Sequence, residues 1–206
     1  MPFTKAPYKT IERIILYRRI LEEQYANGIE YLYSHQLADF THNTPDQIRR
    51  DIMILEYAGT STKGYEVKSL INCIDEYFDS DKIQKVALVG IGHIGRAILA
   101  YFNTQRTKLK IVAGFDNDPL KTNRVISGCR CYNNSELKNV IEEQGISIAV
   151  LAVPAESAQC VANLLVDCGI KGFLNFAPIP VKVPGNVFVD RIDITMRLEI
   201  IAYFIK

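Results

Sequence analysis

Val86-Ala87-Leu88-Val89-Gly90-Ile91-Gly92-His93-Ile94-Gly95-Arg96-Ala97-Ile98-Leu99 decides the fold, because it runs from a buried strand through a glycine turn into an apolar helix. Asp116 follows 21 positions after Gly95, at the end of a second apolar run over 109–115. Strand, G-x-G-x-x-G, helix, second strand and acid make a dinucleotide-binding βαβ unit. Gly90 permits the tight turn, Gly92 lets backbone approach a pyrophosphate, and Gly95 lets the helix close on the strand. The helix start adds free N–H groups and partial positive charge. Asp116 can accept from both adenosine ribose hydroxyls and would repel a 2′-phosphate, which favours NAD(H) over NADP(H).

Downstream, the pattern alternates strand and helix. The run 146–153 reads as a buried strand ended by Pro154, then a helix over 155–168 closed by Gly169. A strand over 172–176 ends at Ala177-Pro178, and 187–189 follows a Pro184-Gly185 turn. Such alternation predicts a doubly wound parallel sheet. Ligands lie beyond the C-terminal strand ends, so the loops after Val89, Phe115, Val153 and Phe176 should meet in one crevice. A last helix over 193–206 is apolar nearly all round and needs a partner on most sides. A second copy of the chain is the expected partner.

Upstream, about 85 residues precede the glycine unit. A first helix is expected over 8–25, with Asn27-Gly28 as its C-cap. A short helix over 35–40, capped by Ser34, leads through Thr41-His42-Asn43 to Thr44-Pro45-Asp46-Gln47. There Thr44 can cap, Pro45 suits the first helical position, and Gln47 can close a capping box. Ile48, Ile52 and Leu55 repeat at helical spacing and leave Arg49 and Arg50 near the open N-terminal turn. Gly59 to Gly64 reads as a hairpin tip between short strands, and 65–78 as a bridge to the nucleotide unit. Helix, short helix, turn, capped helix and hairpin predict a winged helix-turn-helix. Gln47, Arg49 and Arg50 suit base edges and phosphates. Lys63 on the hairpin could reach the DNA backbone or minor groove.

Composition restrains these readings. Net charge is +1 over 206 residues, and residues 1–70 carry nine Lys/Arg against nine Asp/Glu. DNA affinity must therefore come from local placement. The opening Met1 to Lys5 lacks a signal core, and no apolar run approaches the ~20 residues of a membrane span. Five cysteines fall in no C-x-x-C spacing, which predicts free thiols in a reducing cytoplasm and no metal site. Cys129 and Cys131 would share one strand face, which leaves a thiol switch as an alternative. No catalytic residue is expected. His35 and His42 sit in the head, His93 sits in the glycine loop, and no Tyr-x-x-x-Lys pair occurs. Two rivals to a nucleotide-responsive DNA-binding protein stay open: a small NAD-dependent oxidoreductase, and a nucleotide-binding module whose head contacts protein. Arg96 and Lys121 are either phosphate or adenine neighbours or plain surface residues.

Several stretches, in order along nearly the whole chain, resemble the Rex family of bacterial redox-sensing repressors. They are Gln47-Ile48-Arg49-Arg50-Asp51, Gly64-Tyr65-Glu66-Val67, the glycine run Val89 to Ala97, Phe115-Asp116-Asn117-Asp118-Pro119, Val153-Pro154-Ala155, Gly169-Ile170-Lys171-Gly172-Phe173-Leu174-Asn175-Phe176-Ala177-Pro178, and Ile192-Asp193-Ile194-Thr195. The resemblance implies a winged-helix domain over 1–80, a Rossmann-like domain over 81–190 and a domain-swapped C-terminal helix over 191–206. It implies a homodimer on a palindromic double-stranded operator, with NADH and NAD+ as ligands. Nucleotide contacts would then come from Gly90, Ile91, Gly92, His93, Ile94, Gly95, Asp116, Asn117, Lys121, Val153, Pro154, Tyr101, Asn175, Ala177 and Pro178. DNA contacts would come from Thr44, Gln47, Arg49, Arg50 and Lys63. Arg19, Tyr101 and Asp193 would form a switch network near the nicotinamide, whereas spacing alone reads Arg19 as solvated and Tyr101 as core. The family's Arg-Gly-x-Gly-Tyr wing is altered here, with Ser61 at the arginine position and Lys63 two residues on.

Overall fold

Apolar residues three and four apart give α1 (Tyr8–Ala26) one buried face, on which Ile14, Tyr17 and Leu21 are fully shielded. This helix belongs to the first of two units, 1–82 and 83–206, into which the chain divides. A computed structural model describes residues 6–60, 62–78, 83–104 and 108–205. At the end of α1, Ile29 N donates to Gln24 O at 3.0 Å and Gly28 N to Tyr25 O at 3.0 Å, with Gly28 at φ 85°. That is the left-handed stop that Asn27-Gly28 predicts.

The first unit continues with β1 (Tyr31–Leu32), α2 (Ser34–Thr41), α3 (Pro45–Met53), β2 (Tyr65–Glu66) and α4 (Val67–Tyr77). Ser34 is the first helical residue of α2 and not its cap. Tyr33 takes that place, its N–H donating to the Gln36 side chain at 2.8 Å. Residues 65–78 are not a bridge. They form β2, antiparallel to β1, and α4, whose Val67, Leu70 and Ile74 complete the core with Ile48, Ile52 and Leu37. The wing is smaller than a hairpin between two strands of its own. Thr60 and Gly64 exchange backbone hydrogen bonds of 2.8 and 2.9 Å, while Ser61 lies outside the described residues.

The second unit holds β3 (Gln84–Val89), α5 (His93–Thr104), β4 (Leu109–Asp116), β5 (Arg124–Ile126), β6 (Cys129–Asn133), α6 (Leu137–Gln144), β7 (Ile148–Leu151), α7 (Ala155–Asp167), β8 (Gly172–Asn175), β9 (Phe188–Arg191) and α8 (Ile194–Phe204). The sheet runs β5-β6-β4-β3-β7-β8-β9, parallel throughout except that edge strand β5 is antiparallel to β6. The edge hairpin departs from the all-parallel expectation. Both sheet faces are covered, so β3 buries Val86 and Leu88 on one side and Ala87 and Val89 on the other. The strand order reverses at β3, where β4 leaves to one side and β7 to the other.

No residue of α8 is buried within the chain, and Tyr203 and Phe204 are 71% and 79% exposed. Among the described residues, no helix is long and apolar enough to cross a membrane. Cys129 and Cys131 are buried on one face of β6, and burial pushes the Cys129 thiol up to about 11. A thiol held protonated is a poor nucleophile, so the pair does not suit a thiol switch. All five cysteines are free, and among the described residues no group of His, Cys, Asp or Glu is placed to hold a metal.

Candidate functional site

The crevice forms where the strands end. Gly90 stands at φ 94°, and a Cβ there would lie 2.4 Å from Ala152 O, so only glycine lets the loops after β3 and β7 meet. A Cβ on Gly95 would lie 2.0 Å from Gly90 O, which makes it the seat of α5 against the turn. Gly92 is different, because a Cβ there meets nothing within 4 Å. Its bare backbone faces open space, as a pyrophosphate cradle requires.

Asp116 closes β4 and is held from three sides. Its Oδ2 accepts from Ile91 N at 2.8 Å and from Lys121 Nζ at 3.0 Å, and its Oδ1 accepts from Asp118 N at 2.9 Å. Burial alone would raise this carboxyl, but those donors outweigh it and hold the group below the usual carboxylate range. The result is a fixed anion at the β4 end of the crevice. Lys121 also lies 3.6 Å from Asp118 Oδ2, so it serves as a local counter-ion and is not a plain surface residue.

The crevice has a volume of about 630 Å³, in the range of small-ligand sites. Gly90, Gly92, His93, Ile94, Asp116, Asn117, Lys121, Val153, Pro154 and Pro178 all line it, so the predicted loops do converge. Asn134 and Ser157 line it too, and sequence reasoning missed both. Asn134 opens a single 3-10 turn directly after β6, a strand on which spacing places Cys129 and Cys131 on one face but whose end it does not locate. At the β7 and β8 end the lining is apolar, with Val153, Pro154, Val161, Phe176 and Pro178. The only polar side chain lining that end, among the described residues, is Ser157, whose hydroxyl donates to Pro154 O at 3.1 Å.

Other predicted residues do not line the crevice. Ile91 is buried and gives its N–H to Asp116. Asn175 is fully buried, with Nδ2 donating to Ile179 O and Oδ1 accepting from Ala177 N, both at 2.9 Å. It shapes the loop that carries the buried Ala177 and the lining Pro178. Tyr101 is 58% exposed on α5, edge-on to Phe102, which corrects the core reading that spacing gave it. Asp193 caps α8 by accepting from Met196 N at 2.9 Å and pairs with Arg191 at 2.5 Å. Arg19 is exposed on α1 of the first unit.

In the first unit, Thr44 Oγ1 accepts from Gln47 N at 3.2 Å with Pro45 at the first helical position, as predicted. The Gln47 side chain does not close a capping box. It donates to Asp51 Oδ1 at 2.9 Å, in a cluster where Arg13 grips the same carboxylate at 2.6 and 2.7 Å and Tyr17 donates at 2.8 Å. Burial would raise the Asp51 carboxyl, but hydrogen bonds from Arg13, Tyr17 and Gln47 hold it below the usual carboxylate value. This cluster ties α3 to α1. Arg49 pairs with Asp46 and donates to Ser34 Oγ at 2.8 Å, while Arg50 reaches Asp46 O at 3.4 Å. Such exposed contacts are worth about 0–1 kcal/mol. On the wing, Tyr33 OH donates to Thr62 O at 2.6 Å, and Lys63 Nζ lies 5.3 Å above the Tyr31 ring.

Residues 5–52 match a family model described as "Putative DNA-binding protein N-terminus", and residues 81–179 match one described as a CoA binding domain. The chain is 37% identical over 201 residues to the redox-sensing transcriptional repressor Rex of Lactobacillus gasseri, covering 98% of this chain and 94% of that protein. Against the Rex repressor of Syntrophobacter fumaroxidans, identity is 35% over 207 residues, covering 100% and 99%. The chain belongs to the Rex family of redox-sensing transcriptional repressors. Solved Rex-family structures agree. RSP, a Rex-family repressor, superposes with a TM-score of 0.87 at 28% identity, over 98% of this chain and 95% of that one. RSP in complex with β-NAD+ and operator DNA gives 0.91 at 28% identity, over 98% and 93%. RSP has also been solved with β-NADH, at a TM-score of 0.86, 28% identity and coverage of 98% and 95%. The fold is therefore that of a Rex repressor: a DNA-binding type of head followed by a Rossmann-like sheet.

Proposed function

We propose that this protein is a homodimeric Rex repressor that holds a palindromic DNA operator and releases it when NADH binds. The observation that carries this reading is the make-up of the crevice. It has a glycine cradle and a fixed carboxylate at one end, and an apolar floor of Val153, Pro154, Val161, Phe176 and Pro178 at the other. The nicotinamide ring is neutral in NADH and positively charged in NAD+. An apolar floor takes the neutral ring at lower desolvation cost. The relatives that the chain matches are named as transcriptional repressors, which supports a sensor over an oxidoreductase. The RSP complexes with β-NADH, and with β-NAD+ and operator DNA, support both ligands.

The heads of two copies would each offer Thr44, Gln47, Arg49, Arg50 and Lys63 to one half of the operator. The α8 helix, exposed on every side in the single chain, would be exchanged between partners and buried there. Arg19, Tyr101 and Asp193 would close the switch network when NADH is bound. A repressor of this type works on DNA in the cytoplasm. Release follows from linkage, since a ligand moves an equilibrium only by its differential affinity for the two states. A gel-shift titration tests the reading: NADH should release a palindromic operator at concentrations where NAD+ does little. Equal effects of the two nucleotides would remove redox sensing from the account.

A further inference from the structure

Asn134 lies at the outer end of the crevice with its side-chain Oδ1 buried and without a hydrogen-bond partner among the described residues. Buried acceptors are almost always paired, so an orphan on a residue that lines a ligand site asks for a donor from the ligand. The groups around it are already committed. Asn133 Oδ1 accepts from Ser135 N at 3.0 Å and Ser135 Oγ at 2.9 Å, and Asn133 N donates to Glu136 Oε1 at 3.0 Å. These bonds fix the 3-10 turn and leave Asn134 as its unpaired acceptor.

The sheet says which part of a dinucleotide meets it. Along the crevice the strands run β6, β4, β3, β7, β8. The glycine turn after β3 is the pyrophosphate cradle, and Asp116 at the end of β4 is the ribose anchor. Continuing outward, the next strand is β6, whose Asn133 is the register partner of Asp116. Asn133 lies about one strand spacing, roughly 4.8 Å, from the ribose anchor, and Asn134 is one residue further. One glycosidic bond beyond the adenosine ribose is the base. The exocyclic amino group is the hydrogen-bond donor of the adenine edge.

We infer that Asn134 reads the adenine base, its Oδ1 accepting a hydrogen bond from the exocyclic amino group. The inference rests on the NADH reading of the crevice and adds base specificity to it. The test compares NADH with reduced nicotinamide hypoxanthine dinucleotide, in which an oxo group replaces that amino group. Dissociation constants are measured for the full-length protein and for its Asn134→Ala and Asn134→Asp variants. The wild type should favour NADH by about tenfold, the worth of one well-placed hydrogen bond. Asn134→Ala should weaken NADH by that factor, leave the hypoxanthine analogue nearly unchanged and so erase the preference. Asn134→Asp keeps an acceptor and should keep the preference. A preference unchanged in Asn134→Ala would overturn the assignment. Equal weakening of both nucleotides would overturn it as well, by moving the contact to the ribose. Failure of the wild type to bind NADH would overturn the crevice reading and this inference together, whereas binding without base preference would overturn only the inference.

Discussion

Asp51→Ala should loosen the whole head while leaving the nucleotide unit intact. The Asp51 side chain is 2% exposed and receives Arg13 at 2.6 and 2.7 Å, Tyr17 at 2.8 Å and Gln47 at 2.9 Å. Removing one member of a buried ion pair costs about 3–5 kcal/mol, because the other charge stays behind unpaired. Arg13 keeps some water, with 23% of its side chain exposed, and keeps Thr10 Oγ1 at 3.1 Å. The lower end therefore applies, about 3 kcal/mol. Hydrogen–deuterium exchange of the α1 and α4 amides in the full chain reads this directly. A loss of that size speeds exchange through head unfolding on the order of 100-fold. Amides of β3 and β7 serve as the internal control and should not change. Acceleration below about threefold in the head would mean that the cluster contributes under 1 kcal/mol, and would refute its role as the tie between α1 and α3.

Three further perturbations follow from the same geometry. Gly95→Ala puts a Cβ 2.0 Å from Gly90 O and must push α5 off the turn, so NADH affinity measured by calorimetry should fall at least about tenfold while the head's exchange pattern stays put. Arg49→Ala with Arg50→Ala should abolish operator binding in anisotropy measurements and leave NADH binding within about twofold, since exposed arginines contribute little to folding. Acid should act on the head through Asp51, whose folded carboxyl sits below its unfolded value of about 3.9. Its contribution is complete above that value and is lost as pH falls through the folded one, so Asp51→Asn should flatten the drop in melting temperature below about pH 4.

The glycine turn, Asp116 and the capped start of α3 were legible because each is a local pattern with fixed spacing. Three features were not. Helix α4 starts directly after β2 without a side-chain cap at Glu66, so nothing marked its first turn, although Val67, Leu70 and Ile74 carry the period. Strands β5 and β6 are short and hold Arg124 and Arg130, and their tight turn uses positive φ at Ser127 and Gly128. Missing that hairpin also hid Asn134, whose unpaired oxygen is a tertiary fact with no trace in composition. Gln47 shows the reverse case. Its position three residues after Thr44 suggests a capping box, yet the buried Asp51 charge outbids the exposed backbone N–H for its side chain. The Arg19, Tyr101 and Asp193 network came from family resemblance, because none of the three carries a local signal.

The central claim is that one equilibrium couples the two sites, and reciprocity tests it most directly. An operator is first selected by the protein from random palindromic duplexes in NAD+. Its dissociation constant is then measured without nucleotide and with saturating NADH, and that of NADH is measured without DNA and with saturating operator. Thermodynamic linkage requires the two ratios to be equal. The account predicts matching ratios well above one for NADH and a ratio near one for NAD+. NADH affinity that does not change when operator is bound would contradict it.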